Sequence, residues 1–252
     1  MIIDDGFEVP GGQEASTRLI ARQLSQEYFN SYFDEVRSLV ELTVDLKARV
    51  IVDIGAHIGV HTVNYAINNP AAVVYAIEPS LPNIDLLKKN IVKFGISNVK
   101  VFNVAVSDEP GVVTVYNNGD NSGDTRIYQS DDYFPVSTND AVAQPLDSIM
   151  DGVDRIDYIK MDTQGSEFEV FTGGKDCIIK HRPVIFMEFW PRGLWLRGAS
   201  MEAFLDVLDA CDYKIKCYHH RGSGIEDVDK QWVIKHYIDK REVDEYINLL
   251  LY

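Results

Sequence analysis

Residues 48–67 read ARVIVDIGAHIGVHTVNYAI, and this stretch decides the fold. It runs from a short apolar, β-branched segment, Val50–Ile54, through a turn that contains Gly55 and Gly59 into a segment with helical spacing. A buried-type strand that leads through a glycine turn into a helix is typical of an open parallel α/β sheet. Ligands bind such sheets at the carboxyl ends of the strands, so this turn is the first place to expect a site.

The alternation of strands and helices continues along the chain. Further strands are predicted at residues 73–77, 99–104, 156–161, 184–188, 213–218 and 232–238. Helices are predicted at residues 59–69, 81–94 and 201–210, with Ser80 and Ser200 as N-caps and Gly95 as a stop. Residues 117–145 carry many turn formers and little periodicity, which predicts a long irregular loop. We therefore expect an α/β fold with a mainly parallel sheet and helices on both faces.

Two helices are predicted before the first strand, within residues 13–47, from apolar residues at helical spacing. A chain of 252 residues that is 46% hydrophobic can bury a large core in one domain with an appendage. The predicted organisation is an N-terminal helical extension at residues 1–47 and a single α/β domain at residues 48–252. The extension covers the core or acts as a lid over a site.

Composition excludes several classes of function. The formal net charge of −15 opposes a broad phosphate-binding surface, so nucleic acid is not an expected partner. The sequence contains no apolar run of about 18 residues, so neither a membrane span nor a secretory leader is expected. A membrane is therefore not an expected partner either. The three cysteines form no CxxC pair and no even set, which favours a reducing cytoplasm.

The glycine turn and the next strand together predict the class of ligand. The spacing is GxxxG, whereas a dinucleotide turn reads GxGxxG, and Asp53 ends the strand where it would repel a pyrophosphate. Glu78 ends the neighbouring strand, where a carboxylate can accept hydrogen bonds from both ribose hydroxyls. An adenosine-bearing ligand without a pyrophosphate fits both positions, and S-adenosylmethionine (SAM) is such a ligand. The alternative is a turn that only connects a strand to a helix.

Six segments in order resemble the FkbM-type methyltransferases, namely VIVDIGAHIGVHT, VVYAIEPSLPNIDLLKKNI, VFNVAVSDEPGVVTVY, PLDSIM, IDYIKMDTQGSEFEVFTGG and RPVIFMEF. The resemblance covers roughly residues 48–191. It implies a Rossmann-like class I methyltransferase fold with seven strands, the last of them antiparallel. It also implies that SAM is consumed, with S-adenosylhomocysteine as product, to methylate a hydroxyl of a sugar, polyketide or related metabolite.

The resemblance also assigns residues to the site. It implies a cofactor turn at Asp53, Gly55, His57 and Gly59, a ribose contact at Glu78, and an adenine edge at residues 105–108, including Ala105 and Ser107. The sequence departs from the family pattern twice. His57 stands where an asparagine is common, and Gln164 stands where the family often has an acid.

Candidate catalytic groups follow the later strands. Asp162 and Glu188 end the predicted strands 156–161 and 184–188, and a carboxylate there could take the proton of the acceptor hydroxyl. His61 is a third candidate base, with a structural role near the helix start as its alternative. No metal-ligand spacing is visible. A Mg²⁺ ion held by Asp162 and Glu188 is a less favoured alternative.

The acceptor pocket is expected to come from the N-terminal helices and from the loop at residues 117–145, which offers Asp124, Arg126, Tyr128 and Tyr133 as contacts. Four other functions remain open at this stage. They are N-methylation, methylation of an acceptor on a glycan or protein, a nicotinamide-dependent oxidoreductase and a non-catalytic cofactor-binding protein. The sequence does not fix the oligomeric state, for which a homodimer is one option.

Overall fold

The computed structural model describes residues 6–8, 26–118, 122–130, 133–218 and 224–252. The elements in chain order are α1 (Gln26–Asp45), β1 (Val50–Ile54), α2 (Val60–Asn68), β2 (Val73–Ile77), α3 (Leu81–Lys93), β3 (Val99–Phe102), β4 (Val104–Val106), β5 (Gly111–Asn117), β6 (Ser137–Gln144), α4 (Leu146–Ile149), β7 (Tyr158–Met161), α5 (Glu167–Gly173), α6 (Lys175–His181), β8 (Val184–Phe189), α7 (Pro191–Arg197), α8 (Glu202–Cys211), β9 (Ile215–Tyr218), β10 (Ile225–Val228), α9 (Lys230–Lys240) and β11 (Ile247–Leu251).

The main sheet confirms the predicted α/β class. Its strand order is β10-β9-β11-β8-β7-β1-β2-β3, and the strands from β8 to β3 pair in parallel. The last strand along the chain, β11, runs antiparallel between β8 and β9, as predicted. The prediction of seven strands is one short, because β10 adds an antiparallel edge strand beside β9.

The predicted strand at residues 232–238 is wrong, since this segment forms α9. Asp229 caps the helix by accepting a hydrogen bond from the Trp232 amide at 2.8 Å. The rings of Trp232 and His236 stack at 4.7 Å, as residues four apart on a helix do. The β-branched and aromatic residues of this segment suggested a strand, but they follow the helical period. The last strand is instead β11.

A second sheet, in the order β4-β6-β5, was not predicted. The strand expected at residues 99–104 stops at Phe102, and Asn103 donates hydrogen bonds to the carbonyls of Glu78 (2.9 Å) and Pro79 (3.1 Å). The loop expected at residues 117–145 is wrong in its second half, where β6 pairs with the whole length of β5. Its polar residues conceal the strand, because only Ala141 and Ala143 are buried.

Helix α1 packs on one face of the main sheet. Its residues Val36, Leu39 and Val40 share a buried cluster with side chains of four adjacent strands, namely Ile51, Tyr158, Phe186 and Leu250. The second of the two predicted N-terminal helices is therefore present, and the first lies outside the described residues. No helix in the described part of the chain is long and apolar enough to cross a membrane.

The early helices lie where they were predicted. Helix α3 begins after Ser80, whose hydroxyl accepts a hydrogen bond from the Asn83 amide, and it ends just before Gly95 at φ +66°. Helix α8 begins one residue later than predicted, and the Ser200 hydroxyl accepts from the Glu202 amide at 3.1 Å. These caps fix the positions of the strands that border the site.

Candidate active site

The turn between β1 and α2 needs both of its glycines. Gly55 has φ +76°, and a Cβ there would lie 1.8 Å from the Asp162 carbonyl oxygen. Gly59 has φ +92°, and a Cβ there would lie 2.4 Å from Cδ1 of Leu87. The amides of Gly55 and Ala56 both donate to the Ile77 carbonyl, at 2.9 and 3.0 Å. The turn is thus held tightly between the ends of β2 and β7, where a side chain would not fit.

His57 links this turn to two other segments. Its amide donates to Oε2 of Glu78 at 2.9 Å, and its Nε2 lies 2.8 Å from the Ser122 hydroxyl. Burial lowers the pKa of His57 to about 4, so the ring is neutral at pH 7. The imidazole therefore provides the hydrogen-bonding side chain at the position where the family commonly has asparagine, and it directs that bond to the loop that follows β5.

Glu78 lies at the end of β2 and is only 4% exposed. Besides the His57 amide, its carboxylate accepts hydrogen bonds from the Ser80 amide at 2.9 Å and from Nδ2 of Asn83 at 3.3 Å. Burial raises the pKa of Glu78, while these donors favour its ionised form. Oε2 has a second lone pair beyond its bond to His57, so the carboxylate retains an acceptor for a ribose hydroxyl.

Ala105 and Ser107 lie at the seam with the small sheet. Ala105 pairs with Ala143, and the Ser107 amide donates to the Gln144 carbonyl at 3.1 Å. The Ser107 hydroxyl donates to the Glu109 carbonyl at 2.6 Å. Their assignment to the adenine edge stays a prediction. Asn103, which the sequence did not single out, is the nearby residue that hydrogen-bonds the backbone of Glu78.

Asp53 is fully buried beside an unpredicted lysine. Its Oδ2 accepts from the Thr62 hydroxyl at 2.6 Å, and its Oδ1 lies 3.8 Å from Nζ of Lys160. Lys160 also lies 3.4 Å from the Gly55 carbonyl and 3.4 Å from Oδ2 of Asp162. Burial favours the neutral form of this lysine, but the flanking carboxylates raise its pKa. The sequence could have indicated a role for Lys160, because it is a basic residue inside a predicted buried strand.

The two candidate catalytic carboxyl groups are brought together by Gln164. Its Nε2 donates to Oδ1 of Asp162 at 2.6 Å and to Oε1 of Glu188 at 2.9 Å. Burial, followed by the negative charges of Asp162 and Glu167, raises the pKa of Glu188 well above its usual value. An amide can donate to both groups, whereas the acid that is common in the family would add a third carboxyl group. The departure at this position is therefore consistent with an intact site.

Glu167 shapes the loop that carries Gln164. Its carboxylate accepts hydrogen bonds from the Thr163 amide (2.8 Å), the Thr163 hydroxyl (2.9 Å) and the Gly165 amide (3.1 Å). Burial raises the pKa of Glu167 to about 7. Gln164 itself adopts φ +55°, and Gly165 adopts φ +102°. Glu167 was missed from the sequence because its partners are mainly backbone groups of a tight turn.

His61 lies under α1 rather than at the tips of β7 and β8. Its ring is 7% exposed and has its centroid 5.8 Å from those of Tyr32 and Tyr65. Nδ1 has no hydrogen-bond partner among the described residues. Burial, and next the charge of Lys160, lower the pKa of His61 well below its usual value. Its catalytic role stays a prediction.

The loop after β5 is anchored by Arg126. The guanidinium forms two hydrogen bonds with Asp124, at 2.7 and 3.1 Å. It lies 4.4 Å from the ring centroid of Tyr133 and 4.8 Å from that of Trp190, which follows β8. A Cβ on Gly165 would lie 2.8 Å from the Tyr128 hydroxyl oxygen, so Tyr128 contacts the turn that follows β7. The loop therefore extends from the cofactor turn, at Ser122, towards the ends of β7 and β8.

The methyltransferase FkbM domain matches residues 53–215. The chain belongs to the FkbM methyltransferase family. It is a SAM-dependent methyltransferase, which decides against an oxidoreductase as the enzyme class. In the described part of the chain, no three histidine, cysteine or carboxylate side chains are grouped as metal ligands would be.

Individual relatives agree with this family. The chain is 28% identical over 174 residues to the 2-O-methyltransferase NoeI of Sinorhizobium fredii, an alignment that covers 63% of this chain and 70% of NoeI. It is 24% identical over 237 residues to the AMB antimetabolite synthetase AmbE of Pseudomonas aeruginosa, covering 80% of this chain but 11% of AmbE.

A solved structure shows the same fold. The methyltransferase FkbM from Methylobacillus flagellatus KT superposes with a TM-score of 0.53 at 20% identity. The match covers 82% of this chain and 44% of that one. This FkbM methyltransferase therefore spans less than half of the length of that protein, and a small fraction of AmbE.

Proposed function

We propose that this FkbM methyltransferase transfers a methyl group from SAM to a hydroxyl of a small molecule, such as a sugar, a polyketide or a related metabolite. The observation that carries the proposal is the pair Asp162 and Glu188, joined by Gln164 directly beside the glycine turn. These carboxyl groups line the acceptor side of the crevice, where a hydroxyl must lose its proton.

The turn fits SAM by its shape and its donors. Gly55 and Gly59 let the backbone turn tightly at the end of β1, and the start of α2 presents backbone amides that suit the amino-acid carboxylate of SAM. Glu78 would hold the ribose hydroxyls through its remaining lone pairs. Oδ1 of Asp53 has no hydrogen-bond partner among the described residues and would accept one from the cofactor or from a water bound with it.

SAM supplies an activated methyl group, so the protein itself has three tasks. The crevice must place the acceptor oxygen in line with the methyl carbon, exclude water, and accept a proton. The loop anchored by Arg126 and the helix α1 are the segments proposed to exclude water. The relative NoeI is named a 2-O-methyltransferase, which favours oxygen over nitrogen as the acceptor atom.

The proposed partner is a small molecule rather than a nucleic acid or a membrane, because a net charge of −15 repels both phosphate backbones and anionic lipid surfaces. The three cysteines Cys177, Cys211 and Cys217 are buried and form no disulfide with one another, in keeping with the proposed cytoplasmic location.

Isothermal titration of the purified protein with SAM, S-adenosylhomocysteine and NAD tests the cofactor. We expect micromolar binding of the first two and none of NAD. Transfer of tritium from methyl-labelled SAM to panels of hydroxylated sugars and polyketides, with matched amines, then tests the acceptor. Binding of NAD alone would contradict the cofactor assignment, and transfer only to amines would contradict O-methylation.

A further inference from the structure

One row of polar side chains crosses the sheet face that α1 covers. Side chains alternate between faces along a strand, so residues two positions apart share a face. The residues Ile51, Tyr158, Phe186 and Leu250 pack against α1 in one buried cluster. Two positions from each, on the same face, lie Asp53, Lys160, Glu188 and Asn248. Helix α1 thus lies over an apolar patch that becomes polar at the cofactor end of the sheet.

Glu35 on α1 reaches this polar row. Its Oε2 accepts a hydrogen bond from Nδ2 of Asn248 at 2.8 Å. Asn248 on β11 is the direct cross-strand partner of Glu188 on β8, and such pairs have neighbouring side chains. One helical turn before Glu35, Tyr32 lies edge-on against His61. Glu35 is therefore held beside the polar row, next to Glu188, by a contact that spans 213 positions of sequence.

The other two carboxyl groups at this end already have side-chain partners. Both oxygens of Asp162 are engaged, one by Gln164 and one by the Lys160 ammonium. Burial, followed by the charges of Asp162 and Glu167, raises the pKa of Glu188 well above its usual value, which favours its protonated form. Burial raises the pKa of Glu35 to about 7, which leaves it partly ionised at neutral pH.

We propose that Glu35 is a catalytic residue, the base that takes the proton of the acceptor hydroxyl. This inference rests on the proposed O-methylation. As the acceptor oxygen forms its bond to the methyl carbon, the carbon–sulfur bond breaks and its electron pair stays on sulfur. The hydroxyl proton passes to the Glu35 carboxylate and then to solvent. Glu35 and Asn248 both lie outside the matched domain, residues 53–215, so the N-terminal helix completes the site.

Several charged or titratable groups face Glu35 or act on it electrostatically from the elements around it. They are Tyr158, Lys160 and Asp162 from β7 and its end, Glu188 from β8, and Tyr65 from α2. From β11, the neutral amide of Asn248 donates a hydrogen bond to Glu35. Lys160 is the cation in this set and favours the ionised form of Glu35, whereas Asp162 opposes it. A second positive charge nearby, the sulfonium of SAM, should favour ionisation further.

Proton release on binding tests this placement without any acceptor. SAM carries a positive charge at sulfur that S-adenosylhomocysteine lacks. A base beside the methyl group should therefore release its proton to solvent when SAM binds and keep it when S-adenosylhomocysteine binds. Titrations at pH 7 in buffers of different ionisation enthalpy measure that release. We expect up to about half a proton more for SAM than for S-adenosylhomocysteine, because a group with a pKa near 7 is half protonated there.

The Glu35→Gln variant should lose this difference and keep its affinity for S-adenosylhomocysteine within about twofold. Its side-chain carbonyl can still accept from Asn248, so the helix contact survives, and thermal unfolding checks this. Glu41→Gln, an exposed position on the same helix, is the matched control and should behave as wild type. A proton release unchanged in Glu35→Gln would overturn the inference while leaving the proposed function intact.

The pH profile of methyl transfer supplies the second readout. With an acceptor that turns over, kcat/KM of the wild type should fall at low pH with a limb near 7, and Glu35→Gln should lose that limb together with most of its kcat. A retained limb in the variant would contradict the role of Glu35. Failure of the wild-type protein to bind either SAM or S-adenosylhomocysteine would instead refute the proposed function itself.

Discussion

Gly55→Ala should destabilise this protein far more than a comparable change at an open glycine. The new Cβ would lie 1.8 Å from the Asp162 carbonyl oxygen, whereas ordinary van der Waals contact begins near 3.4 Å. The backbone at Gly55 must therefore move about 1.6 Å away from the backbone at Asp162. That separation breaks the 3.0 Å hydrogen bond from the Asp162 amide to the Ile54 carbonyl. Positive φ costs about 1–2 kcal/mol, and overpacking with a lost buried hydrogen bond adds about 2 kcal/mol or more.

We therefore expect Gly55→Ala to lower the free energy of unfolding by about 3 kcal/mol or more. Gly198→Ala and Gly152→Ala are matched controls, because they have φ +75° and +73° with nothing within 4 Å of the added Cβ, and they should lose only about 1–2 kcal/mol. Urea unfolding at 25 °C measures all three. Equal losses at the three positions would refute the close approach of the turn to the end of β7.

Three further changes test the site. Glu78→Ala should weaken SAM binding by about 1–3 kcal/mol, roughly 5- to 150-fold, in a calorimetric titration. Glu109→Ala, at an exposed position, should bind SAM as the wild type does. A Glu78→Ala variant with wild-type affinity would contradict the ribose assignment. Lys160→Met leaves buried Asp53 without its cation and should cost about 3 kcal/mol in urea unfolding at pH 8. The loss should become smaller as the pH is lowered, because burial raises the pKa of Asp53 and favours its neutral form. Glu167 has its pKa raised to about 7 in the folded protein, so its contribution to stability is full below its unfolded value near 4.5 and is lost as the pH rises through 7. This group should lower the unfolding free energy of the wild type by about 3 kcal/mol between pH 4.5 and 8, and Glu167→Gln should lack that decrease. A variant whose stability falls with pH as steeply as the wild type would contradict the raised pKa.

The parts of the fold that the sequence predicted well are buried on both faces. The predicted limits of β1 and β2 match the structure residue for residue, because apolar runs end at a glycine turn in one case and at Glu78-Pro79 in the other. The errors lie at the edges. β6 is a polar strand with one face exposed, and α9 buries only Val233 fully, so its helical period was hard to distinguish from alternation.

The residues of the candidate site also divide into those whose position the sequence could predict and those whose position it could not. The sequence could predict that Asp53, Gly55, Gly59 and Glu78 lie close together, because strand ends of a parallel sheet converge whatever else the chain does. The partners of Glu35 could not, since its contact with Asn248 depends on how α1 lies across strands that are distant in sequence. Gln164 stands where the family often has an acid, and the sequence could not show what the amide contacts; its two hydrogen bonds, to Asp162 and Glu188, do.

The small sheet has a consequence for how such an enzyme can diverge. The seven-pair ladder between β5 and β6 fixes both ends of the intervening loop side by side, whatever residues the loop contains. Its sequence can drift, lengthen or be exchanged between relatives while the ladder keeps the entry and exit points constant. Under the proposed function, acceptor choice and cofactor chemistry are encoded in separate stretches of the gene, and selection can alter the first without rebuilding the second.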